Sequence, residues 1–386
     1  MKSKHIVVLA ENYPAPGRQM LVFVQELVHS LIDLGVKVTV VAPQSVVHSI
    51  LHKQKLLPKH SVRMTGCGIL YDIYRPYTIS AGNLKFFSKV VQWVNSIILK
   101  SFVKKIRPEI LYSHFWSSAL PIYKFAAVNS IPLFVACGEG DDALEDMMND
   151  YTQEEIKELA SSVTGVISVS SENKRKCVDF GLCMEHKIEV LPNCVNTSLF
   201  YRKNVDYLKY KLGIKDDDFV VGFVGGFIPR KGPDRVAKAI SIINDPKIKA
   251  IFIGKSFPGY PYDFDCPGIV HKGPLDHELL PAYLNCMDVF VMPTQMEGCC
   301  NAIVEALAIG LPVISSDGAF NDDILNESNS IRVSPDNIEA IKNAIVTLKE
   351  NTKLRKEMMS YSLSRSNEYS ILRRANKIIE FISKQI

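Results

Sequence analysis

Two carboxylates, Glu297 and Glu305, are separated by seven residues in a segment where a strand, a loop and a helix follow one another. The strand is predicted to end near residue 293, and Asn301 is predicted to be the N-cap of a helix that continues to residue 309. Glu305 then lies one turn after Asn301, away from the apolar core positions, and faces either solvent or a cleft. In a cleft, a carboxylate can accept two hydroxyl hydrogen bonds, as a ribose diol offers. This spacing alone leaves open whether Glu305 is structural or binds a ligand.

The residues that precede this helix could bind an anion. Gly298, Cys299 and Cys300 lie just before its first turn, where backbone N–H groups have no partner within the helix. Such groups, together with the helix dipole, favour phosphate oxygens.

A second segment, VGGFIPRKGP at 224–233, supplies two cations. A strand is predicted to end near Gly226, and Lys231 lies just before a helix that begins with proline. A cation beside free helix amides suits a diphosphate, although a solvated turn is the alternative for both Lys231 and Arg230. The glycines do not have the GxGxxG spacing of a dinucleotide loop, which argues against a dehydrogenase.

The first half of the chain offers fewer candidates. His114 ends a predicted strand, but a lone histidine in such a pattern is more often structural. Gly17, in the loop after the first predicted strand, would let the backbone approach a diphosphate or would simply form a turn.

The composition is that of a soluble globular protein with more than one domain. Hydrophobic residues make up 47% and charged residues 22% of the 386 residues, and no apolar run approaches the roughly 20 residues that cross a bilayer. The first apolar run, 6–10, is too short for the core of a signal peptide. The nine cysteines include no CxxC pair, which predicts reduced thiols in a cytoplasmic protein and no disulfide or zinc framework.

Strands and helices alternate in two series. The first series has a helix at 20–34 and strands at 6–10, 36–42, 109–113, 132–136, 165–169 and 187–191. The second has helices at 233–243, 277–286 and 302–309 and strands at 219–224, 249–253, 288–292 and 312–315. This alternation predicts an α/β protein with two Rossmann-like domains and parallel sheets, facing each other across a cleft. The domains are expected at 1–192 and 193–365, followed by a C-terminal helix at 366–386 that could pack back on the first domain.

The segment EGCCNAIVEALAIGLP, with its E-x7-E pair, resembles the signature of glycosyltransferase family 4, whose members are retaining enzymes of the GT-B fold. LPAYLNCMDVFVMP at 280–293 resembles the stretch that precedes this motif in the family, and LPNCVNTSLF at 191–200 resembles its interdomain element. In that element Cys194 replaces the usual glycine and Asn196 the usual aspartate. The match spans nearly the whole chain and is strongest over 187–317.

The resemblance implies roles for the second half of the chain. Glu297 would contact hydroxyls of the donor sugar, and Glu305 would bind the nucleotide ribose. Backbone amides around Cys299, Cys300 and Asn301 would meet the sugar and the diphosphate.

The sequence departs from the family at one basic position. The family's arginine, five residues before its lysine, is Gly226 here. Lys231 would keep its role at the diphosphate, and Arg230 is the candidate to replace the missing charge. His114 resembles the second histidine of the family's H-x-H element, which approaches the donor sugar, so it is predicted to be catalytic together with Glu297 and Lys231.

The implied reaction is the transfer of a hexose from a UDP- or GDP-sugar to a saccharide or lipid-linked acceptor, with retention of the anomeric configuration. No metal and no other cofactor is expected, and the product would be a surface polysaccharide or glycolipid. Asp141 and Asp142, in a loop that matches the family's H-G-x-D loop only loosely, are predicted on the acceptor side. Two alternatives remain open, a sugar-nucleotide epimerase of the same fold and a non-catalytic GT-B scaffold.

Charge is unevenly distributed along the chain. Residues 1–136 contain 16 Lys and Arg against 5 Asp and Glu, whereas residues 137–192 contain 5 against 13. No nucleic-acid-binding motif accompanies the basic part, which argues against a nucleic-acid partner. Lysines and aromatic residues mix around Trp93. This pattern predicts either peripheral contact with the anionic cytoplasmic face of a membrane or a helix packed on the sheet.

Overall fold

The computed structural model of the protein describes residues 4–15, 21–51, 53–79, 88–257, 259 and 261–386, with the backbone alone at 88, 141 and 142. The chain divides into two compact units. Unit 1 comprises Met1–Leu191 and Arg374–Ile386, and unit 2 comprises Pro192–Arg373.

Unit 1 is built on a sheet of eight strands. The strands of this unit are β1 (His5–Leu9), β2 (Lys37–Val41), β3 (Gln44–Ser45), β4 (His60–Met64), β5 (Leu70–Tyr74), β6 (Tyr77–Thr78), β7 (Ile110–His114), β8 (Leu133–Cys137), β9 (Gly165–Ser168) and β10 (Ile188–Val190). The helices are α1 (Val22–Asp33), α2 (Val46–Leu51), α3 (Ser88–Ile106), α4 (Trp116–Ala119), α5 (Tyr123–Val128), α6 (Asp141–Asn149), α7 (Gln153–Ser162) and α8 (Ser171–Asp179). The sheet order is β10-β9-β8-β7-β1-β2-β5-β4, and β3 pairs separately with β6.

The parallel strands of unit 1 end at a common edge. Neighbouring strands from β10 to β5 are parallel, and β4 is antiparallel to β5. Every residue of β7 and β8 is buried, as expected for parallel strands covered on both faces. His114 ends β7 and pairs with Ala136 of β8. The loops that follow these central strands therefore meet at the carboxyl edge of the sheet.

Unit 2 contains a second sheet, with six parallel strands. Its elements are α9 (Asp206–Lys211), β11 (Phe219–Val224), α10 (Pro233–Ile243), β12 (Ile248–Ile253), β13 (Ile269–Gly273), α11 (Leu280–Asn285), β14 (Val289–Met292), α12 (Asn301–Ile309), β15 (Val313–Ser316), β16 (Ser330–Val333), α13 (Ile338–Glu350) and α14 (Thr352–Ser364). The sheet order is β13-β12-β11-β14-β15-β16.

The last helix, α15 (Ile371–Gln385), begins in unit 2 and ends in unit 1. In unit 1 the ring of Phe381 packs against that of Phe134 with centroids 6.0 Å apart, and Arg374 Nε donates to the Leu191 carbonyl at 3.3 Å. A Cβ atom at Gly165 would lie 3.0 Å from the Phe381 ring, so this strand position favours glycine. α15 thus contributes directly to the core of unit 1.

The predicted strands and helices form, with some corrections. β11 and α10 have the bounds expected from the sequence, whereas the helix expected at 277–286 spans only Leu280–Asn285. Strands β4, β5, β13 and β16 were not predicted. The prediction that Asn301 is an N-cap was wrong, because Asn301 is the first residue of α12 and Cys300 occupies the cap position without a side-chain hydrogen bond. No helix among the described residues is long and apolar enough to cross a bilayer.

Candidate functional site

The candidate site in unit 2 lies where the loops after β11 and β14 meet. The two strands are neighbours, with Val221 opposite Val289 and Gly222 opposite Phe290. Each loop leaves its strand at the carboxyl edge of the sheet, which is the usual position of ligand sites in open α/β sheets. Lys231 comes from the first loop and Glu297 from the second.

Glu297 is the centre of a hydrogen-bonded ionic cluster. Its Oε1 atom accepts from Lys231 Nζ and from Thr294 Oγ1 at 3.0 Å, and Arg230 Nη1 lies 3.4 Å from the same oxygen. The Glu297 and Lys231 side chains are 13% and 16% exposed. The structure therefore brings together three predicted site residues, Glu297, Lys231 and Arg230. Thr294 was not predicted.

A further arginine ties the two loops together. Arg235, near the start of α10, donates to the Pro229 carbonyl at 2.8 Å and to the Pro293 carbonyl at 2.7 Å. The Gln295 amide also donates to the Arg230 carbonyl at 2.9 Å. These backbone contacts hold the ionic cluster in one geometry. Arg235 was not predicted, because its acceptors are backbone carbonyl groups, which every residue type has.

The start of α12 is arranged as an anion site would be. Cys300 makes no side-chain capping hydrogen bond, although the amides of Ala302 and Ile303 lie beside its thiol. The N–H groups of a first helical turn have no partner within the helix and can donate to an anion. Gly298, Cys299 and Cys300 are buried, and Asn193 Nδ2 donates to the Cys299 carbonyl at 3.0 Å. Burial raises the pKa of the Cys300 thiol to about 11, so this side chain is neutral near pH 7. Asn301 Oδ1 is buried without a hydrogen-bond partner in the described part of the chain.

Glu305 lies one turn into α12 and is buried, so the solvent-facing orientation left open by the sequence is excluded. Its Oε1 atom is 3.4 Å from His277 Nε2. Burial raises the pKa of the Glu305 carboxyl, and the His277 imidazole partly offsets that effect. The ring of His277 in turn packs edge-on against Phe200, with centroids 5.5 Å apart. This pairing was not predicted, because His277 and Glu305 are 28 residues apart and no sequence motif links them.

Gly226, the position of the family's arginine, is open. Apart from Gly226 itself and its two chain neighbours, no atom of the described residues lies within 4 Å of a Cβ atom built there. The absence of a side chain is therefore not imposed by neighbouring atoms, and a longer residue could be accommodated.

His114 in unit 1 is a buried and neutral imidazole. Neither ring nitrogen has a hydrogen-bond partner in the described part of the chain, and the ring contacts those of Phe23 and Phe115 at 5.4 and 4.4 Å between centroids. Burial, followed by the charge of Arg374, lowers the pKa of His114 to about 3. The side chain can therefore donate one hydrogen bond and accept another at neutral pH.

The remaining predicted residues are less well defined. Gly17 lies outside the described residues, and Asp141 and Asp142 begin α6 with side chains that are not described. The same segment contains Glu139, which was not predicted. Its carboxylate accepts from the amides of Trp116 and Gly138, and burial raises its pKa. Among the described residues, no group of three His, Cys, Asp or Glu side chains could hold a metal ion.

The comparisons identify the class of protein. The pattern of glycosyl transferases group 1 matches residues 204–365, and that of Glycosyltransferase Family 4 matches residues 20–199. The chain is similar to the putative teichuronic acid biosynthesis glycosyltransferase TuaC of Bacillus subtilis, with 26% identity over 88% of each chain. It is also similar to the UDP-Gal:alpha-D-GlcNAc-diphosphoundecaprenol alpha-1,3-galactosyltransferase of Escherichia coli, with 27% identity over 73% of this chain and 77% of that one.

A solved structure gives the fold. Sucrose-phosphate synthase from Thermosynechococcus elongatus superimposes with a TM-score of 0.76 and 16% identity, covering 99% of this chain and 98% of that one. The protein is a glycosyltransferase with the GT-B fold, which consists of two Rossmann-like domains. It belongs to glycosyltransferase family 4.

The buried Glu305 makes a prediction about stability. A carboxyl whose pKa is raised by folding destabilises the folded state at pH values above its unfolded pKa, and this effect disappears as the pH falls and the group is protonated. Glu305→Gln should therefore raise the free energy of unfolding by on the order of 1 kcal/mol at pH 8, with a smaller gain at pH 5. Denaturant unfolding at both pH values measures this. Glu278→Gln, a change at an exposed neighbour of His277, is the control, and a less stable Glu305→Gln protein at pH 8 would contradict the argument.

Proposed function

We propose that the protein transfers a hexose from a UDP- or GDP-sugar to a saccharide or lipid-linked acceptor, with retention of configuration and without a metal ion. The observation that carries this proposal is the cluster of Lys231, Arg230 and Glu297 at the carboxyl edge of the unit 2 sheet. Glu297 lies in the loop that leads into α12, and that helix contains the buried Glu305.

The cluster contains cations that would stabilise a diphosphate as it leaves the donor sugar. Negative charge develops on the leaving diphosphate in the transition state, and preorganised cations and amides stabilise it. Lys231, Arg230 and the first amides of α12 would supply these contacts. Glu297 holds Lys231 in place through Oε1, and its Oε2 atom would accept hydroxyl hydrogen bonds from the donor sugar.

The other polar groups would bind the nucleotide and the sugar. A buried carboxylate such as Glu305 suits two adjacent ribose hydroxyls, which can both donate to it. His114 is neutral and has no hydrogen-bond partner among the residues that the structure describes, and it would exchange hydrogen bonds with a sugar hydroxyl. In a retaining reaction the acceptor hydroxyl would attack from the face that the diphosphate leaves, with a phosphate oxygen taking the proton.

The names of two relatives support the proposed acceptor class. One is named for teichuronic acid biosynthesis and the other for transfer to a GlcNAc-diphosphoundecaprenol. Both names support a role in building a surface polysaccharide, with a growing saccharide or a lipid-linked saccharide as the acceptor.

Substitution of Glu305 tests nucleotide binding. Glu305→Ala should weaken the affinity for the matching nucleoside diphosphate by roughly 1.5–3 kcal/mol, the range for hydrogen bonds to a charged group. Calorimetric titration with UDP and GDP measures the change and also identifies the base. Glu278→Ala removes an exposed carboxylate next to His277 and should keep the wild-type affinity. Unchanged affinity in Glu305→Ala would remove this residue from the site.

Substitution of the cations tests the chemical step. Lys231→Ala should lower kcat by on the order of 10²-fold, as expected when one preorganised charge is lost at a developing anion. The rate can be followed as release of nucleoside diphosphate from the sugar nucleotide that stabilises the wild-type protein most. Lys238→Ala, at an exposed lysine of α10, should have the wild-type rate.

The same assay tests whether Arg230 replaces the family's arginine. Arg230→Ala should also be slow, and adding Gly226→Arg to it should restore part of the rate, since the open space at Gly226 admits a side chain. If Arg230→Ala has the wild-type kcat and KM, Arg230 does not compensate for the glycine.

Helix α3 supports contact with an anionic membrane. Four lysines and no acidic residue occur within Ser88–Ile106. On one side the helix buries Leu99 and Val103, while Val90, Trp93 and Ile97, spaced three and four residues apart, are 57%, 65% and 46% exposed. The helix thus packs on one side and presents an apolar stripe flanked by cations on another, which supports the hypothesis of membrane contact.

Vesicle binding tests this contact. The protein should sediment with anionic phosphatidylglycerol vesicles at low salt and be released at high salt, because screening shortens the field of the lysines. Reversing two lysines with Lys100→Glu and Lys104→Glu should weaken binding at least tenfold, given about 1 kcal/mol per cation. The matched control reverses two exposed lysines of α14, Lys353 and Lys356. Equal sedimentation with neutral phosphatidylcholine vesicles, or none with anionic ones, would contradict the contact.

A further inference from the structure

Unit 1 contains a cavity of about 580 Å³ at the carboxyl edge of its parallel sheet. Glu11, Pro43, Phe115 and Gly138 line it, each just after one of the strands β1, β2, β7 and β8. Helices α3 and α6 complete the walls. Ligand-binding cavities typically have volumes of roughly 300–1,000 Å³, so this one is large enough for a substrate.

The walls of the cavity are mainly apolar. The apolar lining residues are Pro43, Leu99, Phe115, Leu120, Pro121, Ala143 and Met147. A smaller set of polar groups, including Gln92, Asn95, Ser117 and Glu139, lies among them. A free saccharide, whose surface is covered with hydroxyls, would leave these apolar walls uncovered. An amphiphile with both an apolar chain and hydroxyl groups matches the lining better.

The backbone beside the cavity is strained at Phe115, and hydrogen bonds of this residue and the next maintain the strained conformation. Phe115 has φ 75° and ψ 154°, a backbone region that is energetically unfavourable for a non-glycine residue. Its amide donates to the Ala136 carbonyl at 2.9 Å, and the next amide, that of Trp116, donates to the buried Glu139 carboxylate. This conformation is maintained where the Phe115 side chain forms a cavity wall. Strained residues that the surroundings hold in place occur preferentially at ligand sites.

Helix α3 connects the cavity to the exposed apolar stripe. Gln92, Asn95 and Leu99 of α3 line the cavity, while Trp93 and Ile97 of the same helix are exposed. One helix therefore contributes to the cavity and carries the surface that suits a lipid bilayer. An amphiphile held in that bilayer would have a short path into the cavity along α3.

We infer that this cavity binds the apolar chain of the acceptor, so that the acceptor is lipid-linked. This inference rests on the proposed transfer reaction, and it selects one of the two acceptor classes named above. Glu139, and Gln92 of α3, would meet the polar part of the acceptor where the chain ends.

Alkyl glucosides of different chain length test the inference on the full-length protein. Octyl β-D-glucoside, used below its micelle concentration, should bind at least tenfold more tightly than butyl β-D-glucoside, because each additional methylene buried contributes about 0.8 kcal/mol. Ala143→Trp fills the cavity from an exposed position of α6 and should abolish binding of the octyl compound. The matched control, Ala127→Trp, makes the same change at an exposed position of α5 outside the cavity lining and should bind normally.

A second variant and a second ligand separate the possible failures. Ser117→Phe fills the cavity from α4 and provides the same test if Ala143→Trp does not fold. UDP or GDP should bind both filled variants with wild-type affinity. Equal affinity for the octyl and butyl compounds, or octyl binding that survives both substitutions, would overturn the inference. Absence of nucleotide binding in the wild-type protein would instead contradict the proposed reaction and leave the cavity result unaffected.

Discussion

The contact between Lys231 and Glu297 is the interaction on which the arrangement of unit 2 depends. It joins the loops that leave two neighbouring strands, and its partners are mostly buried. Desolvation of two charges costs about as much as their attraction returns, so a buried ion pair adds little stability compared with apolar residues. Its value lies in fixing positions. With Arg235 bonded to the carbonyls of both loops, the cation is held in place before any ligand arrives.

The two units differ in the electrostatic character of their polar groups. In unit 2 the cations and Glu297 lie in the loops after the neighbouring strands β11 and β14, and Glu305 lies in α12, so charge dominates. In unit 1 the main groups are a neutral imidazole with a strongly lowered pKa, a carboxyl with a raised pKa and apolar walls. The first environment is suited to a diphosphate. The second suits groups with little or no charge, such as sugar hydroxyls and hydrocarbon chains.

The sequence could predict the buried parallel strands and the helices between them, because continuous apolar runs bounded by turn residues identify such elements. β11 and α10 are examples, and both have the predicted bounds. β4 and β5 were missed because each is a short strand in which exposed or partly exposed residues alternate with more buried ones, without a continuous apolar run. The helix cap was misplaced by one residue at Asn301, where the buried Oδ1 atom does not bond to the helix.

Part of the candidate site was also within reach of the sequence. Glu297, Lys231 and Arg230 are adjacent to strand ends, and such residues converge when the strands are neighbours. The partners His277, Phe200 and Arg235 were not, because they act through tertiary contacts between distant segments or through carbonyl groups. Glu139 lies within the segment considered for Asp141 and Asp142, but its amide partner at Trp116 is 23 residues away.

The crossing of α15 from unit 2 into unit 1 has a consequence for synthesis on the ribosome. Phe381 is synthesised after the whole of unit 2, yet it packs on Phe134 in a sheet whose strands are complete by Val190. At about 5–20 residues per second, the intervening unit takes roughly 10–40 seconds to translate. During that time the nascent unit 1 exposes the apolar surface around Gly165 and Phe134 that α15 later covers. Unit 1 therefore completes its core only after unit 2 has been synthesised, which reverses the usual order in which an N-terminal domain folds first.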